Sequence, residues 1–335
     1  SDGGRTPLQL AVARGDPDMV RALLAYGAAV DSPDFPAADA PLPWAIARGR
    51  EDIVDILLEA GARVDLKSRA EEPTVVQVFQ TDWNVLEARL LGDQADPQRG
   101  SSEKTARLRP LVNQWKFDLL KKVVAKGADV NAADKSGETP LALAVRQQND
   151  EAVQFLLEKG ALIDPPNARE ATPLMLAIYQ NREDLIRLFL ERGANVNATG
   201  DQGRTALVYA AKAKNAHELI PLLLKHGADP NIVPHHGDTA LRVAAERGDL
   251  ASAEILLKAG ANPDVQDASG NTILQHLIYS GYSSHVPVVK HLLEKGADPR
   301  IVNHRKLTAL ETALERNDEE CANLVREALK KKSIP

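Results

Sequence analysis

A glycine that closes a Leu-rich run recurs along this chain, at Gly27, Gly61, Gly127, Gly160, Gly193, Gly227, Gly260 and Gly296. The spacings are 34, 66, 33, 33, 34, 33 and 36 residues, and the 66 is twice 33. A period near 33 constrains the fold more than any single motif does. A slice of that length is too short to enclose a core, so each copy must bury its apolar face against the next.

Each period follows one local grammar. Thr-Pro opens it at Thr6-Pro7, Thr139-Pro140 and Thr172-Pro173, and Thr alone opens it at Thr205, Thr239, Thr272 and Thr308. Thr caps the orphan amides of a first helical turn, and Pro at the first helical position gives up an N–H that has no partner there. A short apolar helix such as Pro140 to Val145 follows. It is expected to stop at Gly15, Gly49, Asn181, Gly248 or Asn317, residue types that tolerate the left-handed conformation. A second helix carries apolar residues at i, i+3 and i+4, as in Val153, Leu156 and Leu157. The recurrent glycine ends it, and a turn-rich stretch such as 128–138 leads into the next period.

The phrases at 134–164 and 237–264 carry this grammar in full, and with it the chain resembles the ankyrin repeat family along nearly its whole length. The resemblance implies an all-α fold, an ankyrin-repeat solenoid of about ten helix–turn–helix units joined by short hairpin loops, two of them degenerate. Residues 1–65 read as repeats 1 and 2. Residues 66–131 read as degenerate repeats with an exposed loop near 92–105, and residues 132–330 as repeats 5–10 with a C-terminal cap. In the degenerate part, 105–127 offers material for two helices. Phe79, Trp83, Trp115 and Phe117 gather there in a chain with only 4% aromatic residues. Larger side chains filling gaps left by lost Ala and Leu is the preferred reading; a specialised contact surface is the other. The insertion at 279–287 is either a contact loop or a tolerated surface extension.

The rest of the sequence narrows function by exclusion. A net charge of −6 argues against a nucleic-acid binder. A phosphate loop, a dinucleotide-binding glycine motif, a nucleophile elbow and an HExxH zinc motif are all missing from the sequence. Neither a cofactor nor a metal is expected. The His235-His236 pair reads as decoration of a solvent-facing hairpin tip, and Cys321 as a buried structural thiol on the amphipathic last helix. One cysteine rules out an internal disulfide and fits a cytoplasmic setting. No run of about 18 apolar residues supplies a membrane span. The chain opens at Ser1 without Met. A secreted or periplasmic protein whose targeting segment lies outside this stretch therefore stays open as the alternative.

In proteins of the resembled family, hairpin tips and first helices line a concave groove where partners dock. Carried onto this sequence, those positions hold Arg146, Arg169, Tyr179, Gln180, Asp201, Arg204 and Lys212. Further along they hold His235, His236, Glu246, Tyr279, His304 and Arg305. Trp44 occupies a slot where a small or polar residue is usual and reads as an exposed candidate. Tyr and Arg recur in protein interfaces because each joins a large contact area to directional polar groups. Charges of both signs favour a protein partner over a phosphate backbone. The expected function is thus a monomeric, non-catalytic module that binds a protein as scaffold, adaptor or inhibitor. The alternative is the targeting module of a larger enzyme, or of a bacterial effector or immunity protein, with its catalytic part elsewhere.

Overall fold

A computed structural model describes residues 5–31, 40–64, 73–81, 102–164, 171–281 and 285–332; the side chains of 102–112 and of Lys332 are outside that description. Two compact units divide the chain, residues 1–170 and 171–335. The described residues form eighteen α-helices and no strand.

In unit 1 the helices are α1 (Pro7–Arg14), α2 (Pro17–Ala25), α3 (Pro41–Ala47), α4 (Glu51–Glu59), α5 (Thr74–Gln80), α6 (Ser102–Ala125), α7 (Pro140–Arg146) and α8 (Asp150–Glu158). Unit 2 contains α9 (Pro173–Tyr179), α10 (Glu183–Glu191), α11 (Ala206–Lys212), α12 (Ala216–Lys225), α13 (Ala240–Glu246) and α14 (Leu250–Lys258). It ends with α15 (Ile273–Ser280), α16 (Val286–Glu294), α17 (Ala309–Glu315) and α18 (Glu319–Lys332).

Within each unit the helices stack in two layers. First helices pack on first helices, as α1 on α3 and α3 on α5 in unit 1, and α9 on α11, α11 on α13 and α13 on α15 in unit 2. Second helices form the other layer, with α2 on α4, and α12 on α14 followed by α16. The first helices are buried almost all round: every residue of α9 from Pro173 to Ile178 is buried. The second helices bury one stripe, in α10 Leu185, Ile186, Phe189 and Leu190. Burying a side chain of this size contributes about 1.5–3 kcal/mol, and that gain is realised only when a neighbouring repeat covers it.

The end signals act as the sequence led us to expect. The side chains of Thr6, Thr139, Thr172, Thr239, Thr272 and Thr308 each accept from the backbone N–H three residues on. Thr205 does not make this bond. Gly15, Gly49, Asn181, Gly248 and Asn317 all take positive φ after their first helices. So does Gln148, which the sequence reading passed over because its residue type gave no hint. The fifth residue of the recurrent glycine phrase then ties one repeat to the next. Asn197 donates to the Gly227 carbonyl at 2.9 Å and accepts from the Asp229 N–H at 2.8 Å. Asn131 does the same with Gly160 and Leu162, and Asn231 with Gly260 and Asn262.

The degenerate region differs from expectation in one respect. Residues 105–127 do not form two helices: α6 is a single helix of 24 residues. Of the loop expected near 92–105, residues 92–101 lie outside the described residues and 102–105 open α6. The aromatic residues turn inward here. Phe79 is buried, and Phe117 meets Phe155 edge to face at 5.8 Å. Trp115 is half-buried, and Trp83 lies outside the described residues. These contacts pack α5, α6 and α8 together.

Lys116 on α6 is buried with this cluster, donating to the Phe79 carbonyl at 2.7 Å and to Gln147 Oε1 at 2.8 Å. Burial pushes its pKa down to about 8, from an ordinary 10.5. Between those two values the unfolded chain binds the proton and the folded chain does not, so stability rises with pH. Wild type should therefore gain on Lys116→Met by at most about 1.4 kcal/mol per pH unit across this window. Urea titrations of both proteins at several pH values check this, and a flat difference would mean that the amine keeps its solvation.

Cys321 on α18 is 2% exposed. Burial, assisted by the charge and hydrogen bonding of Asp318, pushes its thiol up to about 12. Since the thiolate is the reactive form, a disulfide reagent at pH 8 should label the folded chain at least about 100-fold more slowly than the urea-unfolded chain. Equal rates would place the thiol in solvent.

Candidate functional site

Unit 2 contains a cleft of about 660 Å³ lined by the ends of α9 and α11. Tyr179 is the last residue of α9, and Gln180 and Asn181 continue the chain around its end. Arg204 precedes α11, Val208, Tyr209 and Lys212 lie on it, and Ala213 and Lys214 follow it. The local geometry explains the convergence. Asn181 adopts φ 56 and turns the chain sharply after α9, which leaves Tyr179 77% exposed beside the next repeat. Ala213, extended at φ −71 and ψ 157, ends α11 and carries Lys214 to the same rim.

Four residues that the sequence pointed to, Tyr179, Gln180, Arg204 and Lys212, are thus brought together. Tyr209, Asn181 and Lys214 join them, and the sequence reading missed all three. Tyr209 was legible in principle, since it stands one helical turn before Lys212 and must share its face.

Arg204 is held without being consumed. Its side chain is 24% exposed, and its Nη atoms stand 4.0 Å from Asp201 and 3.8 Å from Asp238, beyond hydrogen-bond length. Its Nε is buried with no hydrogen-bond partner among the described residues.

The other expected residues fall into two groups. His235, His236 and His304 are exposed at hairpin tips, and the tips rest on one another through the backbone. The N–H of His235 donates to the Gln202 carbonyl at 2.9 Å, and that of His304 to Ser269 at 3.1 Å. No group of three or more metal-ligating side chains forms among the described residues.

The second group is engaged within the protein. Arg146 pairs with Glu138 at 2.6 Å and Arg305 with Glu315 at 2.6 Å. Arg316 lies over the Tyr279 ring at 5.1 Å. Trp44, read as exposed, is half-buried, with Arg5 and Arg48 at 5.0 and 5.9 Å from its ring centre. Arg169 lies outside the described residues.

Glu246 is engaged as well. His276 Nε2 stands 3.0 Å from its carboxylate, and His285 Nε2 meets its backbone carbonyl at 2.9 Å. Burial opposes the Glu246 charge, but the hydrogen bond and charge of His276, with Arg242 and His285 further off, hold its pKa below the ordinary value. His285 belongs to the 279–287 insertion and is buried, its Nδ1 2.8 Å from Ser280 Oγ. This part of the insertion is anchored inward; residues 282–284 lie outside the described residues.

Paired short helices, capped by Thr and closed by left-handed residues, define a helical repeat protein whose hairpin tips and first-helix ends are exposed. The family model for ankyrin repeats matches residues 1–68, 112–200, 197–267 and 243–333, and the chain belongs to the ankyrin repeat family. Ankyrin repeats are generally protein–protein interaction modules, and the family is typically non-catalytic. No curated protein matched the chain at a significant level. No described helix is long and apolar enough to cross a membrane.

Proposed function

We propose that this chain is a non-catalytic module that binds a protein partner through the tips and first helices of unit 2, as scaffold, adaptor or inhibitor. One observation carries the reading: the cleft at α9 and α11 gathers two tyrosines, an arginine and two lysines around a shared apolar floor. That mixture matches the composition of interface centres, where rigid aromatic area and directional cations supply most of the binding energy. A monomer in a reducing cytoplasm suits a chain with a single buried thiol.

The test is site-directed photocrosslinking in cells. A photoreactive residue in place of Tyr179 should give a discrete crosslinked species, whereas one in place of Glu191, exposed on the second helix of the same repeat, should not. Crosslinks from position 191 alone would move the contact surface to the other layer and remove this reading.

A further inference from the structure

The chemistry of the cleft identifies what kind of partner segment it takes, an inference that rests on the cleft being a protein-binding site. We propose that it accepts an extended acidic peptide segment, with a carboxylate side chain seated among Arg204, Lys212 and Lys214 and an apolar neighbour against Tyr179 and Tyr209.

Charge is the first support. Three cations and no carboxylate line the cleft, in a chain whose net charge is −6. Lys212 and Lys214 are exposed and form no ion pair among the described residues, so their charge faces solvent alone. Some other cations of unit 2 are matched, Arg182 with Asp184 at 2.7 Å, Lys258 with Glu254 at 2.9 Å and Arg300 with Asp298 at 2.9 Å; the cleft differs in drawing three cations together with no carboxylate in its lining. Two unmatched lysines beside the loosely held Arg204, on an acidic chain, attract an anion from outside.

Donor geometry is the second. The Arg204 guanidinium is flanked by Asp201 and Asp238 at distances too long for hydrogen bonds, so its fork remains available to an acceptor. A planar carboxylate matches that fork in two parallel bonds. The same two aspartates work against a nucleic-acid strand. A uniform row of phosphates would be repelled by them on both sides of Arg204, whereas a peptide can set one carboxylate on the guanidinium and keep uncharged residues beside the two aspartates.

The full chain is incubated with an array of random-sequence peptides, and selected peptides are measured by fluorescence anisotropy. Lys212→Glu and Lys214→Glu are combined, and Lys225→Glu on α12, outside the cleft, serves as the matched control. All variants are checked for folding by circular dichroism. Peptides rich in Asp and Glu should dominate binding, weaken at least about tenfold on the double charge reversal, and hold their affinity in Lys225→Glu. Their affinity should also fall several-fold as salt rises through the physiological range. Peptides without acidic residues that bind equally to the double variant, yet are lost in Tyr179→Ala, would overturn the acidic occupant and leave the protein-binding cleft standing. Tight binding of a single-stranded oligonucleotide, abolished by the same double variant, would overturn both.

Discussion

Arg242→Ala should lower the unfolding free energy of unit 2 by about 3–5 kcal/mol, the cost of breaking a buried charge pair from one side. Arg242 stands on α13 with its side chain 2% exposed, one of the most deeply buried large residues in the protein. Its guanidinium donates to the Gly237 carbonyl at 3.1 Å and the Asn271 carbonyl at 3.1 Å, and reaches Asp267 at 3.3 Å. Asp267 in turn shapes the next hairpin, accepting from the N–H groups of Ser269 at 2.8 Å and Asn271 at 2.9 Å. Truncation strands two carbonyls and a carboxylate in a place water reaches poorly. The next repeat shows what a neutral substitute can do. Gln275, at the equivalent position of α15 and fully buried, donates to the carbonyls of Ile301 at 3.1 Å and Leu307 at 2.6 Å. Arg242→Gln should therefore recover a large part of the loss. Urea unfolding followed by circular dichroism measures both variants, and equal losses from Ala and Gln would show that the bonds to the following hairpin contribute little.

The contrast between Arg242 and its neighbours marks where sequence reading stops. The period, the Thr caps and the closing glycines are local devices, each acting within a few residues, so the string of letters carries them openly. The third residue of each first helix is different. Met175 and Val208 fill that position with apolar side chains, while Arg242 and Gln275 fill it with polar ones that are just as buried. Nothing in the neighbouring sequence tells a solvated arginine from one clamping the hairpin of the following repeat; only stacking decides it. The same holds for Lys116, whose partner Phe79 lies 37 residues away. The candidate site was legible to the same degree. Tyr179, Gln180, Arg204 and Lys212 follow from their place in the repeat, because position in the period fixes which face a residue shares. Trp44, Arg146, Glu246 and Arg305 share comparable places, yet each meets a neighbour within the protein. Such pairing depends on which residue the adjoining turn presents, and the period says nothing about that.

Gly237→Ala should be clearly more damaging than Gly193→Ala, although both glycines adopt the left-handed conformation, at φ 77 and φ 81. At Gly193 an added Cβ meets nothing within 4 Å, so the cost is that of the backbone conformation alone, about 1–2 kcal/mol. At Gly237 the same Cβ would lie 2.9 Å from the Cα of Asp267 and 3.1 Å from the Gln266 carbonyl oxygen. Both are backbone atoms of the next hairpin, and they cannot rotate aside as a side-chain tip could. Overpacking adds roughly 1–3 kcal/mol to the conformational cost. The carbonyl of Gly237 also accepts from Arg242, so displacing this turn loosens the buried charge described above. The comparison separates two uses of one residue type: Gly193 permits a turn, and Gly237 permits two adjacent tips to touch. Urea midpoints for the two variants, read against wild type, decide it. Equal shifts would mean that neighbouring tips are free to part by the few tenths of an ångström a methyl group needs, and that the row presented to a partner has no fixed spacing.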